Sequence, residues 1–283
     1  AALLLRPADA AQAQALQAAF QVNRSSLQAQ SYLDAVRISP LARSLLNRTV
    51  AFEWTTAGIL WDDPAKTLDP DAKREDLLFP KLVESLGLPV RRLDIVSPYF
   101  VPGERGTAAL AAIAGRGVEV RILTNSLASS DAAVVQAGYA RRRDDLLRAG
   151  IRIHELKPTA APRDSQRRVG SSSSTGLHAK SFAVDGERIF VGSFNFDPRS
   201  LLLNTEMGVV LDSHRLAQEL ADGFDHTVPG VAYEVRLGED GFSLVWIEQT
   251  PDGPRTHMTE PGTTWLQRTG VTVLSVLPIE WLL

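Results

Sequence analysis

Between residues 91 and 158 the chain alternates two hydrophobic periodicities, and this limits its fold more than any other feature. RRLDIVSPYF (91–100), VEVRILTNS (118–126) and IRIHELKP (151–158) read as short strands. GTAALAAIAGRG (106–117) and DAAVVQAGYARRRDDLLRAG (131–150) read as helices closed by glycines. Strand–helix–strand units of this length favour parallel neighbours, because the helix supplies the crossover a parallel pair needs. The expectation is an α/β fold with a mixed, largely parallel sheet flanked by helices.

The flanks read differently. Residues 8–47 are rich in Ala, Gln and Leu and read as helical, with Pro40 opening a second stretch. A helical N-terminal segment is therefore expected over 1–48, and one catalytic domain with a C-terminal hairpin and tail over 49–283. Residues 49–61 read as a strand interrupted by glycine, and 73–87 carry helical spacing. A polar loop rich in proline and serine, 158–175, leads into GLHAKSFAVDG (176–186). Downstream, 204–211 reads as a strand, 214–224 as a helix, and 231–259 as a hairpin with turns at Glu239–Gly241 and Pro251–Gly253. The tail from Val271 is strongly apolar.

GLHAKSFAVDG carries the chemistry. Asp185-Gly186 is a strong hairpin signal, and a second apolar run, Arg188–Val191, follows it. In an extended strand residues i and i+2 share a face, so His178 and Lys180 project side by side and suit an anion between them. Asp185 lies at odd spacing from both and is read as a structural residue of the turn. Gly192, Ser193, Asn195 and Glu206 follow at fixed distances.

These positions complete the signature H-x-K-x(4)-D-x(6)-G-S-x-N, and the stretch resembles the phospholipase D superfamily. SPYFVPG (97–103), LTNSLASSDAAVVQAGYARRR (123–143), 178–208 and the terminal LPIEWLL are similar to the shorter type of bacterial cardiolipin synthase. The resemblance covers roughly residues 50–283 and implies the C-terminal half of a duplicated enzyme, because such enzymes carry two signatures and this chain has one. It implies a phosphatidyltransferase working through a phosphohistidine, with His178 as nucleophile or as general acid. Lys180 would hold a phosphate oxygen, Ser193 and Asn195 would contribute short polar contacts to it, and Glu206 would hold the other nitrogen of the imidazole. No metal and no cofactor are implied. The implied substrates are phosphatidylglycerol and, as a further donor, phosphatidylethanolamine. The implied partner is a missing N-terminal half or a second copy of the chain. The implied location is peripheral, on the cytoplasmic side of a bacterial inner membrane.

Two alternatives stand beside this one: a phosphodiesterase or nuclease of the same superfamily working as a homodimer, and an inactive isolated half-domain. A formal net charge of −3 weighs against nucleic acid. With no cysteine, thiolate metal sites are excluded. No apolar run reaches eighteen residues, so no spanning helix is expected. The chain opens on Ala-Ala-Leu-Leu-Leu without methionine and is read as a fragment.

Several further residues keep two readings. Arg141–Arg143 read as a solvated helix face or as a contact for lipid headgroups or the missing half. Asn125 and Ser126 follow a strand and read as ligand contacts or as helix caps. His154, His214, His226 and His257 match no motif and read as structural. The terminal IEWLL reads as core or membrane-surface contact, and the serine run 171–175 as linker or lid.

Overall fold

A computed structural model describes residues 9–50, 52–67, 77–130, 132–158 and 176–276. The chain divides into two compact units, Ala1–Trp54 and Thr55–Leu283. Among its described residues the first contains three helices: α1 (Ala10–Arg24), α2 (Leu27–Ile38) and α3 (Pro40–Leu46). Serine starts the second and third: the Ser26 and Ser39 side chains accept from the N–H groups of Ala29 and Ala42, and Pro40 takes the first helical position, where no N–H is needed.

The second unit is built on one sheet. Its strands are β1 (Ala57–Trp61), β2 (Arg92–Val96), β3 (Glu119–Asn125), β4 (Arg152–Leu156), β5 (Ser181–Val184), β6 (Arg188–Gly192), β7 (Met207–Leu211), β8 (Ala232–Leu237), β9 (Leu244–Thr250) and β10 (Gly253–His257). They lie in the order β1-β7-β6-β5-β2-β3-β4-β8-β9-β10. The sheet is mixed, as expected, but it is not largely parallel. Parallel pairing is confined to β2–β3 and β3–β4, and every other neighbour pair among the described strands is antiparallel. The reason is topological. Helical crossovers, α5 (Gly103–Ala114) and α6 (Ala133–Arg148), connect β2, β3 and β4 in parallel, whereas β5–β6, β8–β9 and β9–β10 are joined by short turns, and the other outer strands follow longer segments yet still enter the sheet in reverse.

Strand parity sorts the core onto two faces. Ile95, Ile122, Phe182 and Phe190 face α4 (Leu78–Leu86), α5 and α6 in the main cluster. Val96 and Leu123 face the other way, towards Phe224 and Val228, and Ala183 and Ile189 pack with Ala217 of α8 (His214–Asp222). The strand expected over 49–61 is confined to 57–61, paired with β7 at the sheet edge. The helix expected over 73–87 begins at Leu78. Its first residues, the 159–175 loop and the terminal IEWLL lie outside the described residues.

The Arg141–Arg143 run does not form a uniformly solvated face. Arg143 is buried, bonded to Glu155 and Glu260, each at 2.9 Å, and lies over the rings of Trp246 and Tyr139. Glu155 also accepts from the Tyr139 hydroxyl at 2.9 Å and the Trp246 indole at 2.8 Å. A cation this deep persists because two carboxylates and two ring faces meet it.

The β5–β6 hairpin turns at Asp185 and Gly186, both with positive φ (56° and 71°). That conformation suits glycine and is tolerated by aspartate. The Asp185 carboxylate also crosses to the start of β2, accepting from the backbone N–H groups of Val90 (3.1 Å), Arg91 (2.7 Å) and Arg92 (2.8 Å). Burial acts to raise its pKa, but these N–H groups and the Arg91 charge outweigh burial and hold it below the usual carboxylate range.

Asp185→Ala is expected to cost about 1–3 kcal/mol in urea unfolding, since three N–H groups lose their acceptor. The native pKa is depressed, so the carboxylate's contribution is fully present above the unfolded value near 3.9 and fades as pH falls through the lower native value. The gap between wild type and variant should therefore stay constant above about pH 5 and narrow in acid; a gap below about 0.5 kcal/mol at neutral pH would contradict the bridging role.

Candidate active site

Apart from Asp185 in the hairpin turn, the signature residues lie at the other end of β5 and β6: His178 and Lys180 just before β5, and Gly192, Ser193 and Asn195 at and after the end of β6. Residues 176–180 form neither helix nor strand, and β5 begins only at Ser181. His178 is exposed, and its imidazole makes no hydrogen bond to another described residue. Lys180 is buried, and its Nζ donates to the His178 carbonyl at 2.9 Å. The chain is thus less regular here than an extended strand, with the lysine turned back on the histidine's own backbone. Burial pushes the Lys180 ammonium below its usual range, against the pull of Glu206 and Asp197. Its charge therefore faces two carboxylates from one partly desolvated position.

Gly192 ends β6 because nothing larger fits. A Cβ there would press into the Met207 carbonyl and the Phe190 ring, which lies across Gly192 and Gly208 and stacks on Phe182 at 5.5 Å. The chain next offers Ser193, whose backbone N–H donates to the Met207 carbonyl at 2.8 Å. The Ser193 hydroxyl donates to Glu206 Oε2 in a short hydrogen bond and accepts from the Met207 N–H at 3.0 Å. Asn195 is partly buried, and its Oδ1 has no hydrogen-bond partner among the described residues.

Glu206 is the hub of this cluster. It is buried, and besides Ser193 it accepts from Ser200 Oγ at 2.7 Å and Asn204 Nδ2 at 3.4 Å. The hydrogen bond expected between Glu206 and His178 is not among those of the described residues. Hydroxyl and amide groups surround the carboxylate instead. Ser200 in turn accepts from the Asn195 backbone N–H at 3.1 Å, so one serine ties Asn195 to Glu206.

Sequence reasoning missed the support beneath the hub. Asp62 is buried and accepts from the Glu206 N–H through Oδ2 at 3.0 Å and from the Leu78 N–H through Oδ1 at 2.7 Å. Lys66 neutralises it at 2.8 Å and donates to the Ser200 carbonyl at 3.0 Å. Asp197 caps α7 (Pro198–Leu202) by accepting from the Ser200 N–H at 2.8 Å. The spacing Asp62-x-x-x-Lys66 was available as a signal, but nothing local to it points to Glu206. Asn125 and Ser126 cap no helix; Asn125 ends β3 and its amide faces the backbone of Leu177. His154 is buried near Phe224, and burial pushes it down to about 4, which suits a neutral structural ring. His257 bonds Glu248 at 3.0 Å and His214 meets the Gly186 carbonyl at 2.7 Å. Among the described residues no group of three or more His, Asp or Glu has the arrangement of a metal site.

A family model described as "Cardiolipin synthase, PLD-like domain" matches residues 82–228. The chain is 43% identical over 254 residues to cardiolipin synthase C of Escherichia coli (strain K12), covering 89% of this chain and 53% of that protein. It is 31% identical over 147 residues to cardiolipin synthase A of Proteus mirabilis (strain HI4320), covering 52% of this chain and 26% of that protein. Among solved structures, the phospholipase D family member Nuc from Salmonella typhimurium matches with a TM-score of 0.46 at 16% identity, covering 65% of this chain and 99% of that one. The chain spans about half the length of the first of these relatives.

The buried ion pair beneath the hub yields a stability prediction. Lys66→Met leaves Asp62 charged and buried without its counter-ion and should cost about 3–5 kcal/mol in chemical denaturation. Combining it with Asp62→Asn should recover part of that loss. A single variant costing under about 1 kcal/mol would show that the pair does not support Glu206.

Proposed function

The chain belongs to the phospholipase D-like domain family of the cardiolipin synthase type, and from that premise we propose that it supplies one half of a phosphatidyltransferase site. One observation carries this reading. The signature H-x-K-x(4)-D-x(6)-G-S-x-N is complete in the sequence, its lysine bonds the backbone of an exposed histidine, and its serine bonds the buried Glu206. The net charge of −3 favours a phospholipid over nucleic acid as the phosphodiester.

The chemistry follows from these groups. An imidazole nitrogen attacks phosphorus, the P–O bond to the leaving alcohol breaks, and that alcohol takes a proton from a second, protonated imidazole. The hydroxyl of a phosphatidylglycerol then attacks the phosphorus, its proton returns to the second imidazole, and the P–N bond breaks. His178 fills one of these roles and the histidine of a second half the other. Lys180 offsets the negative charge on the non-bridging oxygens, and Asn195 presents polar atoms to the same group. Glycerol leaves when the donor is phosphatidylglycerol, and ethanolamine when it is phosphatidylethanolamine.

The second half is either the N-terminal part of the same enzyme or a second copy of this chain. An exposed apolar sheet face beside the site supports such a partner. Ile59, Val209 and Val191 align across β1, β7 and β6, and Trp61 pairs with Met207. Ile59, Trp61, Val191 and Met207 are all exposed, and Val191 precedes Ser193 by two residues on the same strand line. Water-facing aromatic and aliphatic side chains in such a row mark an interaction surface. No described helix is long and apolar enough to cross a membrane. We place the enzyme peripherally on the cytoplasmic face of a bacterial inner membrane, where its substrates lie.

The test is product formation by the enzyme containing both halves, resolved by thin-layer chromatography on phosphatidylglycerol with and without phosphatidylethanolamine. His178→Ala should abolish cardiolipin, and Lys180→Met should lower kcat about 10²–10³-fold. This chain alone should turn over only as a dimer. Cardiolipin formed at wild-type rate by His178→Ala, or by a monomer of this chain, would overturn the reading.

A further inference from the structure

Asn125 and the backbone leading to His178 form an arrangement that the proposed chemistry does not itself require. Asn125 is the last residue of β3, at the carboxyl end of the parallel strands, and is almost fully buried. Its Oδ1 accepts from the Leu177 N–H at 2.9 Å, and its Nδ2 donates to the Leu177 carbonyl at 3.3 Å. One side-chain amide thus grips both polar groups of one residue, as a neighbouring strand would. The amide is itself held: Nδ2 also donates to the Pro98 carbonyl at 3.4 Å, and Oδ1 also accepts from Ser129 Oγ at 3.3 Å. Gln136 from α6 donates to the Asn125 carbonyl at 3.0 Å.

Gly176 shows how closely the two segments approach. A Cβ at that position would lie 2.9 Å from the Ser129 carbonyl and 3.2 Å from Asn125 Oδ1. The chain at 176–177 therefore lies flush against the end of β3. Three residues later the Lys180 carbonyl accepts from the Gly192 N–H at 3.2 Å, and the β5–β6 ladder begins. Only His178 and Ala179 lie between the amide grip and that hydrogen bond.

We propose that Asn125 is a positioning residue: by clamping Leu177 it fixes where the His178 imidazole meets the phosphorus. This rests on the reading of His178 as a reacting imidazole. Asn125 does not touch substrate; it acts through the backbone. The residue type follows from the geometry, since only a side-chain amide offers a donor and an acceptor side by side. Asparagine cannot be replaced by aspartate, which would set a carboxylate against two carbonyl oxygens. A displacement of about 1 Å at a reacting atom costs on the order of 10²-fold in rate, which sets the size of the effect.

The experiment has two arms. In the enzyme containing both halves, Asn125→Ala and Asn125→Asp should lower kcat for cardiolipin formation about 10–10²-fold with KM within about threefold, because substrate contacts are untouched. A merely structural role would reduce the amount of folded enzyme and leave the kcat of that folded fraction intact. Hydrogen–deuterium exchange on this chain should show the Leu177 amide losing protection about tenfold in Asn125→Ala, the loss of one hydrogen bond. Gly176→Ala keeps Asn125 but pushes the backbone off it and should reproduce the kcat loss, which keeps the test open should Asn125→Ala fail to fold. Unchanged Leu177 exchange, or kcat per folded enzyme within twofold of wild type, would overturn the clamp. Should the wild-type enzyme form no cardiolipin, the reading of the site falls, and Leu177 exchange alone then decides whether the clamp exists.

Discussion

Glu206 is buried, and burial obliges it to find partners. A polar group taken from water without hydrogen bonds costs several kcal/mol. Ser193, Ser200 and Asn204 meet that demand at the carboxylate, and Asp62 meets it at the backbone. Each partner lies on a different element, so one desolvated carboxylate draws the end of β6, the start of α7, the start of β7 and the segment before α4 into one cluster. Lys66 then offsets the Asp62 charge and reaches Ser200 as well, closing the network. Of the motif residues, Ser193 and Asn195 are tied to this hub, the first directly and the second through Ser200.

The electrostatics of the site follow from the same fact. Lys180 is partly desolvated yet lies within reach of Glu206 and Asp197. Burial disfavours its charge and the two carboxylates favour it, in a setting poorer in water than the bulk. In such a setting a fixed charge acts more strongly on a phosphoryl group than it would in solvent. Beside this polar side, β1, β7 and β6 present an exposed apolar row.

How much of this could be read from the sequence depended on locality. The hairpin at Asp185-Gly186 was legible because two adjacent residue types specify the turn. The strands at 91–158 were legible from period alone, and so were the helices between them. The overestimate of parallel pairing came from extending that local pattern to the outer strands, which enter the sheet in reverse whether a short turn or a helix precedes them. The candidate residues were legible as a motif, yet their contacts were not. The resemblance implied that Glu206 holds His178, whereas the folded chain brings Ser200 and Ser193 to it. Asp62, Lys66 and Asn125 lie far from the motif in sequence, and no local pattern connects them to it. Arg143 illustrates the same limit: within RRR it looks solvated, and only the folded chain brings Glu155, Glu260 and Trp246 around it.

The central claim is that a histidine of this site bonds covalently to phosphorus. Rapid acid-free quenching of the two-half enzyme during turnover on phosphatidylglycerol, followed by mass spectrometry of its peptides, tests it directly. The account predicts a phosphatidyl adduct on one imidazole, either His178 or its counterpart in the second half, whose P–N bond is lost in acid. Steady cardiolipin synthesis with no histidine adduct at any quench time would contradict it.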